Sequence, residues 1–315
     1  MCLIALAWRT HPRYRLVLAA NRDEFHARPT LPLDAWRDDP GVIGGRDALH
    51  GGGWLALRGR RLAAVTNVRR PGDDTGRTRG ALVAEFVRGG SDADPLAAIA
   101  RDAMTFRPFN LLAYDGRTLS FATNRAEPRG EARFARHAFE PGVHGVSNGA
   151  LDAPWPKTRA LTARLAAWSA IAASRPDDAT NDATDHAPDL APLFAALGDT
   201  AIAPDASLPD TGIDLELERF LSPAFIRGER YGTRASTVVL IADDHARIVE
   251  RRFGPEGVFE GETDLRVAFE DVTFESVAFE DVAFESLPFE GAPIEGAPLD
   301  DVAPERQSQR AEPME

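Results

Sequence analysis

Three stretches of the chain double back on themselves. WLALRGRRLAAVTNV, FNLLAYDGRTLSFATN and STVVLIADDHARIVERRF each hold two short apolar runs parted by polar turn residues. Asp115-Gly116 is a strong turn dipeptide, and runs of this length around such a turn read as β-hairpins. Near the start, Leu3–Trp8 and Arg15–Ala20 read as two more strands, joined by THPR. Helical spacing is confined to TRGALVAEFVRGG, to residues Asp92–Met104 and to Lys157–Ala173. Hairpins come first, helices follow and a hairpin closes the series. Without regular β-α-β alternation a doubly wound parallel sheet is disfavoured. The expected fold class is α+β, dominated by antiparallel sheet.

Two segments fall outside that pattern. SRPDDATNDATDHAPD, from Ser174 to Asp189, is rich in Asp, Ala and Pro and reads as a mobile insertion. Near the C-terminus VAFED, VTFES, VAFED, VAFES, LPFEG, APIEG and APLDD place Phe269, Phe274, Phe279, Phe284, Phe289, Ile294 and Leu299 five apart. Five is neither a helix nor a strand period. Seven such repeats would not complete two coils of a pentapeptide solenoid, and stacked glutamates would repel. A disordered or loosely docked acidic extension is the favoured reading, with a protein partner as its expected target. The division is therefore a globular domain over residues 1–255 and an acidic tail over 256–315.

Charge supports this split. Glu256–Glu315 holds 17 acidic and 3 basic residues, and the rest holds 32 and 33, so the net charge of -13 belongs to the tail. A near-neutral body lacks the basic excess of a nucleic-acid surface. Hydrophobic residues make up 43%, enough for a sizeable core. No run of about 18 apolar residues is present, so no membrane span is expected. LIALAW is too short for a signal peptide and meets Arg9 at once. One cysteine makes neither an internal disulfide nor a multi-thiolate metal site, and a reducing cytoplasm is the expected location. The 7 histidines show no Cys-x-x-Cys-His and no paired-His spacing, so covalent haem and structural zinc are unsupported. GGRDALHGGGW lacks the context of a phosphate loop and reads as a tight loop. Trp54, Trp155 and Phe109 read first as core residues, with Trp54 also a candidate ligand contact. His26, His50 and His144 are assigned no role.

The sole cysteine stands at position 2. A lone cysteine in an apolar segment is most often a small buried hydrophobe. Position 2 adds another option, because cysteine is small enough for removal of the preceding methionine. A terminal cysteine owns a thiol and an α-amine whose ordinary pKa, about 8, suits a general base at neutral pH. Nucleophile and base then come in one residue, as in N-terminal threonine catalysts. Such a catalyst also needs a carboxylate, a cation and amide donors. Strand ends supply candidates: Arg22 and Asp23 after the second strand, Asn67 after LAAVTN, Asn148 in HGVSN and Arg234 in YGTRAST. Each alone reads as an ordinary turn or cap residue.

MCLIALAW, LVLAANRDEFHARP, GGGWLAL, AAVTN, RGALV, FNLL, GVSN, PWPK and YGTRAST, in that order, resemble the NRDE family, the family of transport and Golgi organisation protein 2. The resemblance covers residues 1–253. It implies a fold similar to N-terminal-nucleophile hydrolases, a four-layer αββα sandwich of two antiparallel sheets. The layout also resembles the cysteine branch of those hydrolases, the choloylglycine hydrolase and penicillin V acylase group. That likeness implies Cys2 as nucleophile, Asp23 orienting the amine, Arg22 near the thiol, Asn67 as an oxyanion donor, Asn148 assisting and Arg234 holding anionic charge. ANRDE departs from the Arg-Asn-x-Asp stretch of that group, so Asn21 and Glu24 stand as alternative ligand contacts. The expected activity is hydrolysis of a small amide through an acyl-thioester. The alternative, carried by the same resemblance, is a non-catalytic handler of haem or a lipid-type ligand, with Cys2 as a thiolate ligand to haem iron. A purely structural role through the acidic tail is the third reading.

Overall fold

The computed structural model describes residues 2–70, 75–89, 94–125, 133–174 and 188–269. The repeat positions beyond Phe269 and most of the Ser174–Asp189 segment lie outside these residues. Among the described residues, two antiparallel sheets stand face to face, and the class is α+β. The first has six strands in the order β10-β1-β2-β11-β12-β13. These are β1 (Cys2–Trp8), β2 (Leu16–Phe25), β10 (Gly142–Val146), β11 (Tyr231–Ile241), β12 (His245–Phe253) and β13 (Phe259–Ala268). The second has seven strands in unbroken chain order. They are β3 (Thr30–Trp36), β4 (Asp39–Asp47), β5 (Gly53–Arg58), β6 (Arg61–Asn67), β7 (Phe109–Tyr114), β8 (Leu119–Thr123) and β9 (Ala135–Ala138). The helices are α1 (Arg79–Arg88), α2 (Ala97–Asp102), α3 (Pro156–Ser174), α4 (Ala191–Leu197) and α5 (Leu215–Phe220).

Side-chain alternation builds the layers, since successive strand residues point to opposite faces. On β1, Ile4, Leu6 and Trp8 turn inward to meet Leu16, Leu18, Leu55, Leu57 and Leu62 between the sheets. Leu3, Ala5 and Ala7 turn outward beneath Leu161, Leu165, Leu193 and Leu197 of α3 and α4. On the second sheet Ala63, Val65 and Leu111 turn outward beneath Leu82, Val83 and Phe86 of α1. The layers therefore run helix, sheet, sheet, helix. Both sheets are apolar on both faces, which is why β1 is buried along its whole length. Each fully buried leucine contributes about 1.5–3 kcal/mol.

The three hairpin readings, the strand-pair reading and the three helix readings all correspond to elements, with shifted bounds. The helix read over Asp92–Met104 is α2 alone, followed by a 3-10 turn at Ala103–Thr105. β2 continues to Phe25, so Asn21, Arg22, Asp23 and Glu24 lie inside the strand rather than after it. Arg234 likewise lies inside β11, at the irregularity in its pairing with β2. Residues Phe259–Ala268, read as the start of the acidic tail, form β13 against β12. The glycine-rich loop serves packing: a Cβ at Gly52 would collide with the backbone of Gly80 at the start of α1. No helix among the described residues is long and apolar enough to cross a membrane.

Candidate functional site

β1 and β2 pair with Cys2 opposite Arg22, so one register step fixes these two residues side by side. Cys2 is buried, and burial pushes its thiol above the ordinary value; Asp23 adds to this, while Arg22 pulls against it. Arg22 is 6% exposed. Its Nη1 finds no hydrogen-bond partner among the described residues, and its Nη2 lies 3.9 Å from a Glu24 oxygen. A guanidinium buried with an open donor is costly unless an anion meets it.

Asp23 projects from the opposite face of β2. Thr233 on β11 donates its hydroxyl to Asp23 Oδ1 at 2.7 Å. Burial raises the Asp23 carboxyl above the usual range, and the positive charge of Lys157 is the largest pull against it. Lys157 stands in the first turn of α3, buried, with Nζ donating to the Leu221 carbonyl at 2.7 Å. Burial pushes its pKa down to about 8, against the pull of Asp23. Tyr231 closes this pocket as a neutral phenol, raised far above its ordinary value by burial and by Asp23.

The second sheet reaches the same end of the sandwich through Asn67. Asn148, just past β10, donates its Nδ2 to Asn67 Oδ1 at 2.7 Å and to the Asn67 carbonyl at 3.1 Å. The Asn67 side-chain oxygen is thereby occupied, and its amide N–H groups are the ones left over. Ser147 Oγ lies 3.0 Å from the Cys2 carbonyl and 3.2 Å from Asn148 Oδ1, so its one proton serves both. Cys2, Ser147, Asn148 and Asn67 form one hydrogen-bonded unit across two sheets. Arg69 extends it: its backbone N–H donates to the Asn148 carbonyl at 2.7 Å, and its Nη1 meets Glu218 of α5 at 2.6 Å. Glu218 also accepts from the backbone N–H and the hydroxyl of Thr211.

The remaining candidates are placed differently. Asn21 donates to the carbonyls of Leu197 and Ala224 at 2.8 and 2.7 Å and accepts from Ser236 at 2.6 Å. That pins α4 and the segment after α5 to the sheet and uses up the side chain. Arg234 Nη1 donates to the carbonyls of Phe25, His26 and Arg28 at 3.0–3.2 Å, bracing the end of β2. For Glu24, burial raises the carboxyl, but the amino terminus, Arg22 and Arg28 outweigh it and leave a lowered pKa. Trp54 packs in the inter-sheet core. Cys2, Arg22 and Asp23 thus share one strand end, Asn67 and Asn148 bond each other, and Asn21 and Arg234 serve the frame around them.

A cavity of about 550 Å³ opens beside Asn148, walled by Arg69, Arg70, Arg125, Trp155 and Leu208 among others. Neither Cys2 nor any histidine lines it. A haem there would find no ligand for its iron, so the residues present do not fit a Cys2-ligated haem in this cavity. Among the described residues no group of three His, Cys, Asp or Glu is placed to hold a metal.

Sequence reasoning passed over Ser147, Arg69, Lys157, Glu218, Tyr231 and Thr233. Lys157 had a legible signal, a lysine closing PWPK at the head of a helix whose other charged residues are Arg159 and Arg164. Glu218 had none, because a glutamate in a short helix ordinarily faces water.

A family profile described as transport and Golgi organisation 2 matches residues 1–255. The chain is 31% identical over 290 residues to the transport and Golgi organization protein 2 homolog of Homo sapiens, covering 84% of this chain and 97% of the human one. It is 32% identical over 278 residues to the Bos taurus homolog, covering 80% and 92%. With the Mus musculus homolog the identity is 29% over 291 residues, covering 84% and 97%.

Proposed function

The chain belongs to the transport and Golgi organisation 2 family, and on that footing we propose that it is an amidohydrolase with Cys2 as nucleophile. The observation carrying this reading is the hydrogen-bonded unit that links the Cys2 carbonyl through Ser147 and Asn148 to Asn67. It ties a thiol on one sheet to an amide donor on the other, the two groups acyl transfer requires. Because burial keeps the thiol protonated, a base must take its proton. Removal of Met1 supplies one, the α-amine of Cys2 itself.

In this scheme Sγ attacks the carbonyl carbon of a carboxamide and its proton passes to the α-amine. The developing oxyanion takes hydrogen bonds from Asn67 Nδ2. The C–N bond then breaks, the leaving amine takes the proton from the α-ammonium, and an acyl-thioester remains on Cys2. Water, deprotonated by the same amine, adds to the thioester; the C–S bond breaks and the acid departs. Arg22 faces the sulfur across one register step and stabilises the thiolate. Asp23 orients the amine.

The test is an intact mass of the purified chain, followed by turnover of an amide panel by wild type and Cys2→Ala. The expected result is a chain starting at Cys2, with turnover reduced at least about 10³-fold in the variant and no change in melting temperature. A retained Met1, or turnover that survives the substitution, overturns the mechanism.

A further inference from the structure

Four hairpin turns meet at the end of the sandwich that lies opposite Cys2 along β1. They are residues 9–15 between β1 and β2, 59–60 between β5 and β6, 115–118 between β7 and β8, and 242–244 between β11 and β12. Arg9 Nη2 donates to the Arg117 carbonyl at 3.0 Å, and Arg60 Nη1 donates to the Asp243 carbonyl at 2.6 Å, so turns of the two sheets touch. Together they hold five arginines and three aspartates. The aspartates are engaged locally. Asp243 pairs with Arg15 at 2.6 Å, Asp244 meets His245 Nδ1 at 2.7 Å, and Asp115 accepts from the backbone N–H groups of Arg117 and Thr118 at 2.8 Å. Arg9, Arg13, Arg60 and Arg117 are exposed and form no ion pair among the described residues.

The chain leads directly into this surface. β13 ends at Ala268, and the next residue, Phe269, donates its N–H to the Asp244 carbonyl at 2.7 Å. Its side chain packs against the inter-sheet core, and the Arg60 guanidinium stands 4.9 Å from its ring centroid. Phe269 is also the first aromatic of the five-residue repeat. From Glu270 to Asp301 the sequence holds 10 acidic residues and no basic one. We propose that residues 270–301 dock across the arginine-lined end of their own chain, with the Arg60–Phe269 contact as the first of the series. Glutamate directly follows phenylalanine at Phe269, Phe274, Phe279, Phe284 and Phe289. Such a pair offers one arginine both an aromatic face and a carboxylate. A single exposed ion pair contributes little. A tethered series gains from its effective concentration, which is in the millimolar range for a short linker. Packed sheets lie about 10 Å apart and one extended repeat spans about 17 Å, so a single repeat reaches from the turns of one sheet to those of the other.

The proposal is independent of the chemistry at Cys2. Its test is chymotrypsin cleavage of the full chain after Phe274, Phe279 and Phe284, followed by mass spectrometry. Rates are compared at about 20 mM and about 500 mM salt, where screening is weak and strong. In the unmutated chain cleavage is expected to be at least about fivefold faster at high salt, because screening releases the segment. In the combined variant Arg9→Gln, Arg13→Gln, Arg60→Gln and Arg117→Gln that ratio is expected to fall to about 1. If this variant does not fold, the tail side decides: Glu270→Gln, Asp271→Asn, Glu275→Gln, Glu280→Gln and Asp281→Asn together should give the same loss while leaving residues 2–269 unaltered. Taking the ratio within each variant cancels any change in intrinsic cleavage at the altered sites. A ratio near 1 in the unmutated chain, or one that survives either set of substitutions, overturns the proposal. So does a ratio that grows over an about hundredfold range of protein concentration, which would assign the acidic segment to a second copy instead.

Discussion

The two sheets are built by different rules. In the seven-stranded sheet every neighbour in space is the neighbour in sequence, β3 through β9. In the six-stranded sheet β1 pairs with β10 and β2 pairs with β11, joining residues some 140 and 210 positions apart, as Ile4 with Val146 and Asp23 with Thr233. The six-stranded sheet contributes Cys2, Arg22, Asp23 and Arg234 to the site or its frame, whereas the seven-stranded sheet contributes Asn67. Chemistry has collected where distant segments converge. A local hairpin brings together residues already close in sequence, but a cluster of a thiol, a carboxylate, a lysine and two amides needs groups from several separate segments.

Arg69 and Glu218 join the two halves of that comparison, one following β6 and the other on α5. Arg69→Met leaves a carboxylate buried without its cation and is expected to cost about 3–5 kcal/mol in urea unfolding. Adding Glu218→Leu should recover much of that loss. If the single substitution is tolerated within about 1 kcal/mol, the pair does not couple the halves.

Leu18 on β2 and Leu62 on β6 sharpen the contrast, since both are 1% exposed in the same inter-sheet core. Each alanine substitution is expected to cost about 2–5 kcal/mol. Loop-closure entropy favours early formation of the sequentially ordered sheet. Leu62→Ala should therefore slow folding, and Leu18→Ala should chiefly speed unfolding. Stopped-flow chevrons with the opposite partition would remove the distinction between the sheets.

The smallest effect belongs to the outer edge. Arg247 and Asp264 pair at 2.6 Å between β12 and β13, part exposed. Asp264→Asn is expected to cost under about 1 kcal/mol and to leave the site untouched. A larger loss, read from the thermal midpoint, would make β13 a structural partner of the sheet rather than its margin.

Much of this was legible before any coordinates. Asp115-Gly116 and the paired apolar runs located the hairpins. Cys2, Arg22, Asp23, Asn67 and Asn148 were identified from local pattern and family resemblance. The polar run Asn21–Glu24 was taken as a strand's end, because charged residues ordinarily mark exposure. Here β1 flanks Asn21 and Arg22, and β11 carries the run on as strand to Phe25. Asn21 was a ligand candidate because ANRDE departs from the Arg-Asn-x-Asp stretch, yet its amide is consumed by Leu197 and Ala224, carbonyls about two hundred residues away.

By itself the sequence determined where strands and helices form and which faces are apolar, because periodicity, turn dipeptides and glycine placement act over a few residues. Tertiary structure alone decided that β1 lies between β10 and β2, that Arg22 faces Cys2, and that Lys157 and Glu218 are buried. Those outcomes depend on long-range packing of several segments at once, and a buried charge is stable only beside partners that the rest of the fold brings to it.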